Sequence, residues 1–300
     1  MHPAVAAPVD FERLLNPASR ALKRHSHPGS SSSSPSPPAS GHVGTTDRLP
    51  DIVWGPGKSA DQIAAALVHL TSLQRIAMAV RIEPEMYAAV RKHAPGVEYN
   101  ARSRTLVLRS PLADTLPKQE RLPGSVCVVS GGTADLGVAE ECKVTAEHLG
   151  CYCFRITDVS VSELGKLLTN LDALRAADAL VVICGTDAAL PSVLAGLVDV
   201  PVIAVPTSAG FGASLGGIAP LLASLTSSAP GVTVANIDHG VGAAQTVTRM
   251  LRMASRLHLA RREAEHKAAA TAAVLAAFAE ESDAVQRLME ETVKAQHTQA

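Results

Sequence analysis

Aromatic residues are scarce in this chain. One Trp, three Tyr and four Phe make up 3% of its 300 residues, too few for the repeated stacking positions of a single-strand nucleic-acid binder. A surplus of positive charge is missing as well. Lys and Arg number 27 against 28 Asp and Glu, a formal net charge of -1, which excludes the basic footprint of a general nucleic-acid partner. No apolar run approaches the roughly 20 residues a membrane span needs. Cysteines are five, an odd number, and no spaced Cys/His set of the zinc type occurs. Cys127 and Cys184 lie in apolar strand runs, where a thiol behaves as a small hydrophobe. Cys151 and Cys153 share one face of a predicted strand with only His148 nearby. Reduced thiols in an intracellular, cytoplasmic compartment are the expectation.

Residues 1–47 read as a leader. Ser30 to Ser40 is almost entirely Ser and Pro, preceded by a basic patch of Arg20, Lys23, Arg24 and His25. Such a segment buries too little apolar surface to offset chain entropy, so disorder is predicted. It also fits an organelle transit peptide, although Asp10 and Glu12 run against that pattern. A small α/β unit follows over 48–120. In it, Ile52 to Trp54 and Ile76 to Val80 are predicted strands. Ser59 with Gln62 spells a capping box for a helix, and Pro84 opens another. A core is predicted over 121–245 and a helical extension over 246–300. In that extension Ala268 to Phe278 offers a small-residue face for a partner helix or a subunit contact.

The core is organised around Val126 to Asp135. An apolar run of β-type residues ends in Ser130-Gly131-Gly132-Thr133, and a helical pattern begins near Leu136. That is a buried parallel strand feeding a tight turn and a helix. The glycines permit positive φ and close approach of a ligand. Ser130, Thr133 and the free N–H groups at the helix start suit a phosphate or carboxylate. Predicted strands at 151–156, 179–184, 201–205 and 232–237 alternate with helices at 161–169, 189–197 and 213–226. The class is therefore α/β with a doubly wound parallel sheet. In such sheets the ligand lies beyond the carboxyl ends of the strands. Those ends here carry Thr157-Asp158, Gly185-Thr186-Asp187, Pro206 to Gly212 and Asp238-His239-Gly240, small and hydroxyl residues interspersed with acids. A phosphorylated small molecule is the predicted ligand.

Three strings carry a family resemblance. They are Ser130 to Leu136 with Val138 to Glu141, then Ala189 to Ser208, then Gly210 to Gly217 with Val234 to Gly240. Val53 to Ser59 and Tyr99 to Leu108 extend it. The chain resembles the pyridinium-3,5-biscarboxylic acid mononucleotide synthases of nickel-pincer cofactor synthesis, relatives of aminoimidazole ribonucleotide (AIR) carboxylase. The resemblance implies a flavodoxin-like core in a homo-oligomer with its site at subunit contacts. The implied substrates are nicotinic acid adenine dinucleotide and CO2 or bicarbonate, and the implied reaction carboxylates the pyridinium ring and releases AMP. In the family a cysteine adds to the ring. Ser228 stands at that position in this chain.

Asp135, Asp158 and Asp187 are the other catalytic candidates, in acid–base or metal roles, with Mg2+ the ion expected if one is used. Ser130, Gly131, Gly132, Thr133, Glu140, Pro191, Thr207, Gly210, Gly212, Ser214, Asn236 and Asp238 are the candidates for substrate binding. An AIR-carboxylase-like reaction and a catalytically silent nucleotide-binding subunit are the alternatives.

Overall fold

The computed structural model describes residues 49–116 and 121–298, with side chains described through 272 and at 275. The predicted leader falls outside the described residues, as do the side chains at 273, 274 and 276–278 of the predicted 268–278 face.

A four-stranded mixed sheet comes first, in the order β1-β2-β4-β3. Strand β1 (Ile52–Trp54) runs parallel to β2 (Ile76–Val80), and β2 pairs antiparallel with β4 (Thr105–Arg109). The edge strand β3 (Glu98–Asn100), not foreseen above, pairs with β4. It is short, and the side chain of Asn100 turns the chain by accepting the N–H groups of Arg102 and Ser103 at 3.1 and 3.2 Å. Helix α1 (Ala60–Thr71) begins with the expected capping box. Gln62 N–H donates to Ser59 Oγ at 3.3 Å, and Ser59 N–H donates to Gln62 Oε1 at 3.0 Å. Helix α2 (Pro84–His93) joins α1 over one sheet face, enclosing Ile63, Leu67, Ala77, Ala79 and Leu106. Met78 and Val80 alternate to the opposite face and pack on Val241 and Val144 of the core.

The core sheet is all parallel, in the order β6-β5-β7-β8-β9. Its strands are β5 (Ser125–Ser130), β6 (Tyr152–Ile156), β7 (Ala179–Cys184), β8 (Val202–Pro206) and β9 (Val232–Val234). This is the flavodoxin-like order predicted. One face, with Val126, Val128, Val181, Ile183 and Ile203, is covered by helix α3 (Leu136–His148) and the start of α8 (Gly240–Thr298). The other, with Cys127, Val129, Leu180 and Val182, is covered by α4 (Leu164–Thr169), α5 (Leu171–Ala176) and α6 (Ala189–Ala195). Each fully buried Val, Leu or Ile stabilises this sandwich by about 1.5–3 kcal/mol.

The predicted helix 161–169 is divided into a 3-10 turn, Val161–Glu163, and the short α4. Similarly, the predicted helix 213–226 starts as a 3-10 segment, Gly212–Gly217, and becomes α7 only over Ile218–Leu225. Left-handed Leu215 and Gly216 lie inside the 3-10 segment, and left-handed Gly217 joins it to α7. Strand β9 stops at Val234, three residues before the predicted end. No described helix is long and apolar enough to cross a membrane.

Candidate functional site

A cleft of about 400 Å³ opens at the carboxyl edge of the core sheet. The turn after β5 (Gly131 to Asp135), the start of the segment after β6 (Ser160 to Ser162), the turn after β7 (Cys184 to Asp187) and Ala209 after β8 line it. It lies where β6 and β7 depart to opposite sides of β5, the position at which doubly wound sheets hold ligands.

Asp135 anchors this cleft. Its carboxylate is buried, and each oxygen has a donor: Gly132 N–H reaches Oδ2 at 3.0 Å and the Thr207 hydroxyl reaches Oδ1 at 2.6 Å. Burial raises its pKa, opposed by the hydrogen bonds from Thr207 and Gly132. Gly131 and Gly185 beside it are demanded by space rather than by φ, whereas a Cβ on Gly132 would make only an ordinary contact of 3.9 Å with Asp135 Oδ2. Gly132 is extended, with φ -146, and neither Gly131 nor Gly185 has positive φ, contrary to the conformational argument made for the first pair. A Cβ on Gly185 would stand 2.7 Å from Thr207 Oγ1, and one on Gly131 would stand 3.1 Å from Cys184 Cβ and 3.3 Å from Asp135 Oδ2. Cys184 itself lies in the lining, its thiol pushed up to about 12 chiefly by burial and then by Asp135 and Asp187.

Of the residues singled out in the sequence, Gly131, Gly132, Thr133, Asp135 and Asp187 meet in the cleft. Thr207 stands behind it through Asp135. Asp187 is left-handed at φ 60 and accepts Ala189 N–H at 3.3 Å, which shapes the turn into α6. Ser130 and Ser214 are buried at its margin, and neither hydroxyl has a partner among the described residues. Gly210 packs against the Ser214 side chain so closely that a Cβ would collide with it. Asp238 accepts Ser208 N–H at 2.9 Å and Ser208 Oγ–H at 2.5 Å, tying the ends of β8 and β9 together.

The remaining candidates have other surroundings. Asp158 is exposed and ion-paired with Lys166 at 2.7 Å. Glu140 forms an ion pair with Arg155 and accepts Asn100 Nδ2 at 3.3 Å, joining the N-terminal sheet to the core. Pro191 is buried within α6, Gly212 is exposed at φ 56, and Asn236 accepts the N–H of Ile237 at 2.9 Å. Ser228 lies at the amino edge, in the connection before β9, where Val202 N–H donates to Gly231 O at 3.2 Å. It is exposed and does not line the cleft of its own chain. Among the described residues no three His, Cys, Asp or Glu side chains gather to hold a metal ion.

Arg81 was not foreseen. It is left-handed at φ 61, pairs with the buried Glu141 at 2.7 Å, and donates to the Asp238 carbonyl. Burial raises the Glu141 pKa, and the Arg81 charge counters that rise. Only tertiary contact creates this group, and nothing in the spacing of Arg81 and Glu141 announces it.

Comparison with known proteins agrees with this geometry. Residues 125–273 match the model of AIR carboxylase, and residues 46–110 match a LarB/PurE-like N-terminal domain. The uncharacterized protein MJ0165 of Methanocaldococcus jannaschii is 35% identical over 202 residues, 65% of this chain and 76% of that protein. The chain belongs to the AIR carboxylase family. An N5-carboxyaminoimidazole ribonucleotide mutase of the same organism is 34% identical over 121 residues, 40% of this chain and 73% of that mutase. AIR carboxylase relatives of this PurE/LarB-like kind are carboxylases and mutases that take nucleotide substrates. The described cleft thus belongs to an enzyme family, with the AIR carboxylase match covering all of its lining.

Proposed function

We propose that the cleft binds nicotinic acid adenine dinucleotide and that the chain carboxylates its pyridinium ring with CO2 or bicarbonate, releasing AMP. The observation that carries this reading is Asp135, a buried carboxylate fixed by two donors at the base of a glycine-lined cleft. A carboxylate with one bond on each oxygen keeps acceptor capacity, which suits ribose hydroxyls. The N–H groups of Gly131 and Gly132 are engaged by the Ile183 carbonyl and Asp135 Oδ2, so the Thr133 hydroxyl in the lining is the group of this turn that suits a phosphate oxygen. The LarB/PurE-like N-terminal domain matched over 46–110 is compatible with this reading and with the second one below.

Ring activation in this reading falls to residue 228. Since Ser228 stands at the amino edge, it serves a cleft only from another copy in a homo-oligomer. An exposed apolar ridge along the 3-10 segment and α7 (Phe211, Leu215, Ile218, Leu222 and Leu225) supports such an assembly. An alcohol ionises far less readily than a thiol and adds poorly to a ring carbon. Turnover by the natural chain is therefore slow.

A mutase-type reaction on an aminoimidazole ribonucleotide is the second reading, favoured by the 34% identity over the core. Calorimetric titration separates the two. The dinucleotide should bind the wild type and lose at least about tenfold in affinity with Asp135→Ala, the effect of about one hydrogen bond. Binding of the aminoimidazole ribonucleotide without the dinucleotide would establish the second reading, and binding of neither would defeat both.

A further inference from the structure

The only tryptophan of the chain is 41% exposed although it ends a strand whose preceding residue, Val53, is buried. Its surroundings are specific. The Arg81 guanidinium carbon sits 5.5 Å from the Trp54 ring centroid. The His239 ring meets it edge-on, centroids 6.1 Å apart at 87°. Arg81 is in turn fixed by Glu141 and the Asp238 carbonyl, so the indole rests on a braced cation.

The same contacts connect this indole to the cleft. His239 follows Asp238, whose carboxylate holds Ser208. Ser208 follows Thr207, whose hydroxyl holds Asp135. Trp54 therefore packs on His239, in the segment after β9 at the carboxyl edge of the core sheet, and does not line the cleft itself.

We propose that Trp54, backed by Arg81 and flanked by His239, is a stacking platform for the purine base of the nucleotide ligand, outside the cleft that holds the phosphate and ribose. The identification of that base as the adenine of a dinucleotide rests on the function proposed above, whereas the platform itself rests on these contacts. A cation near the indole draws electron density from it, which strengthens stacking with an electron-rich purine, and base–aromatic stacking tolerates any base with a π-face. Burial, followed by the charge of Arg81, lowers the His239 pKa. The imidazole is thereby kept neutral near pH 7, with one donor and one acceptor for a base edge. A tryptophan serving only to fasten the N-terminal sheet would make the same contacts with Arg81 and would respond to no nucleotide.

Because Trp54 is the sole tryptophan, its fluorescence reports on the platform directly. The full chain is titrated with AMP, with nicotinic acid mononucleotide and with nicotinic acid adenine dinucleotide, and calorimetry is run in parallel. AMP and the dinucleotide should quench Trp54, and nicotinic acid mononucleotide should quench it far less. Trp54→Ala should weaken AMP about fivefold to a hundredfold, the range a single stack supplies, while Trp54→Phe retains most of the affinity. Gly131→Val should abolish dinucleotide binding and weaken AMP, whose phosphate and ribose enter the same cleft. Quenching by AMP without dinucleotide binding to the wild type would keep the platform and overturn the dinucleotide reading. Absence of AMP quenching, or unchanged AMP affinity in a folded Trp54→Ala chain, would overturn the platform.

Discussion

The Thr207 hydroxyl donates to the Asp135 carboxylate at 2.6 Å, linking the carboxyl ends of β8 and β5 through a strand, β7, that lies between them. Thr207→Val keeps the shape and removes the donor, leaving a buried carboxylate one partner short. A loss of about 1–3 kcal/mol in stability is expected, with nucleotide affinity lower by about tenfold. Thr207→Ser should recover most of both. Thermal unfolding and calorimetric titration check the pair.

Gly185 is the tightest position around this bond. Gly185→Ala places a methyl group 2.7 Å from Thr207 Oγ1, which must displace the hydroxyl from Asp135. Nucleotide binding should be lost while circular dichroism stays that of the wild type. Gly196→Ala is the control. Its Cβ would make only ordinary contacts of 3.5 Å or more on a helical backbone, so it should leave binding unchanged and stability equal or higher by about 0.5 kcal/mol.

Much of this arrangement was legible in the sequence. The run Val126 to Val129 is apolar at every position because β5 is covered on both faces, and the turn after it supplied the Asp135 site. Ser59 and Gln62 announced their capping box because both partners are local. What stayed hidden was tertiary. The partners of Glu140, Arg155 and Asn100, are set by the fold, and so is the place of Ser228 at the amino edge, because chain order carries no distance. Arg81 and Glu141, 60 residues apart, gave no pattern at all. The 3-10 segment Gly212–Gly217 was read as helix because its left-handed Leu215 is an ordinary helix former.

Arg81→Ala should be among the most damaging single changes. The Glu141 side chain is only 4% exposed, and an unpaired buried carboxylate costs about 3–5 kcal/mol. The loss should be greater at pH 8 than at pH 5, since protonation relieves the uncompensated charge. Urea unfolding at the two pH values tests this. Arg81→Ala combined with Glu141→Leu should regain part of the stability.

His148 makes the fold sensitive to acid. Burial lowers its pKa to about 4 from the ordinary 6.5, and its Nε2 has no partner among the described residues. The unfolded chain therefore takes up a proton before the folded one does. Stability contributed by the neutral ring is present above pH 6.5 and is lost as pH falls from there towards about 4. The loss is on the order of 2 kcal/mol for this half-buried ring. His148→Leu should flatten the stability profile across that window, and an unchanged slope would assign the acid sensitivity to other groups.

The account is tested most directly by label transfer. Wild type and Ser228→Cys are incubated with nicotinic acid adenine dinucleotide and carbon-13 bicarbonate, and the masses of the pyridine product and of AMP are followed with time. The wild type should give little labelled product and little AMP, and Ser228→Cys should raise both together. Fast labelling by the wild type that the substitution leaves unchanged would contradict the role given to residue 228, and absence of labelled product from both proteins would contradict the carboxylase reading itself.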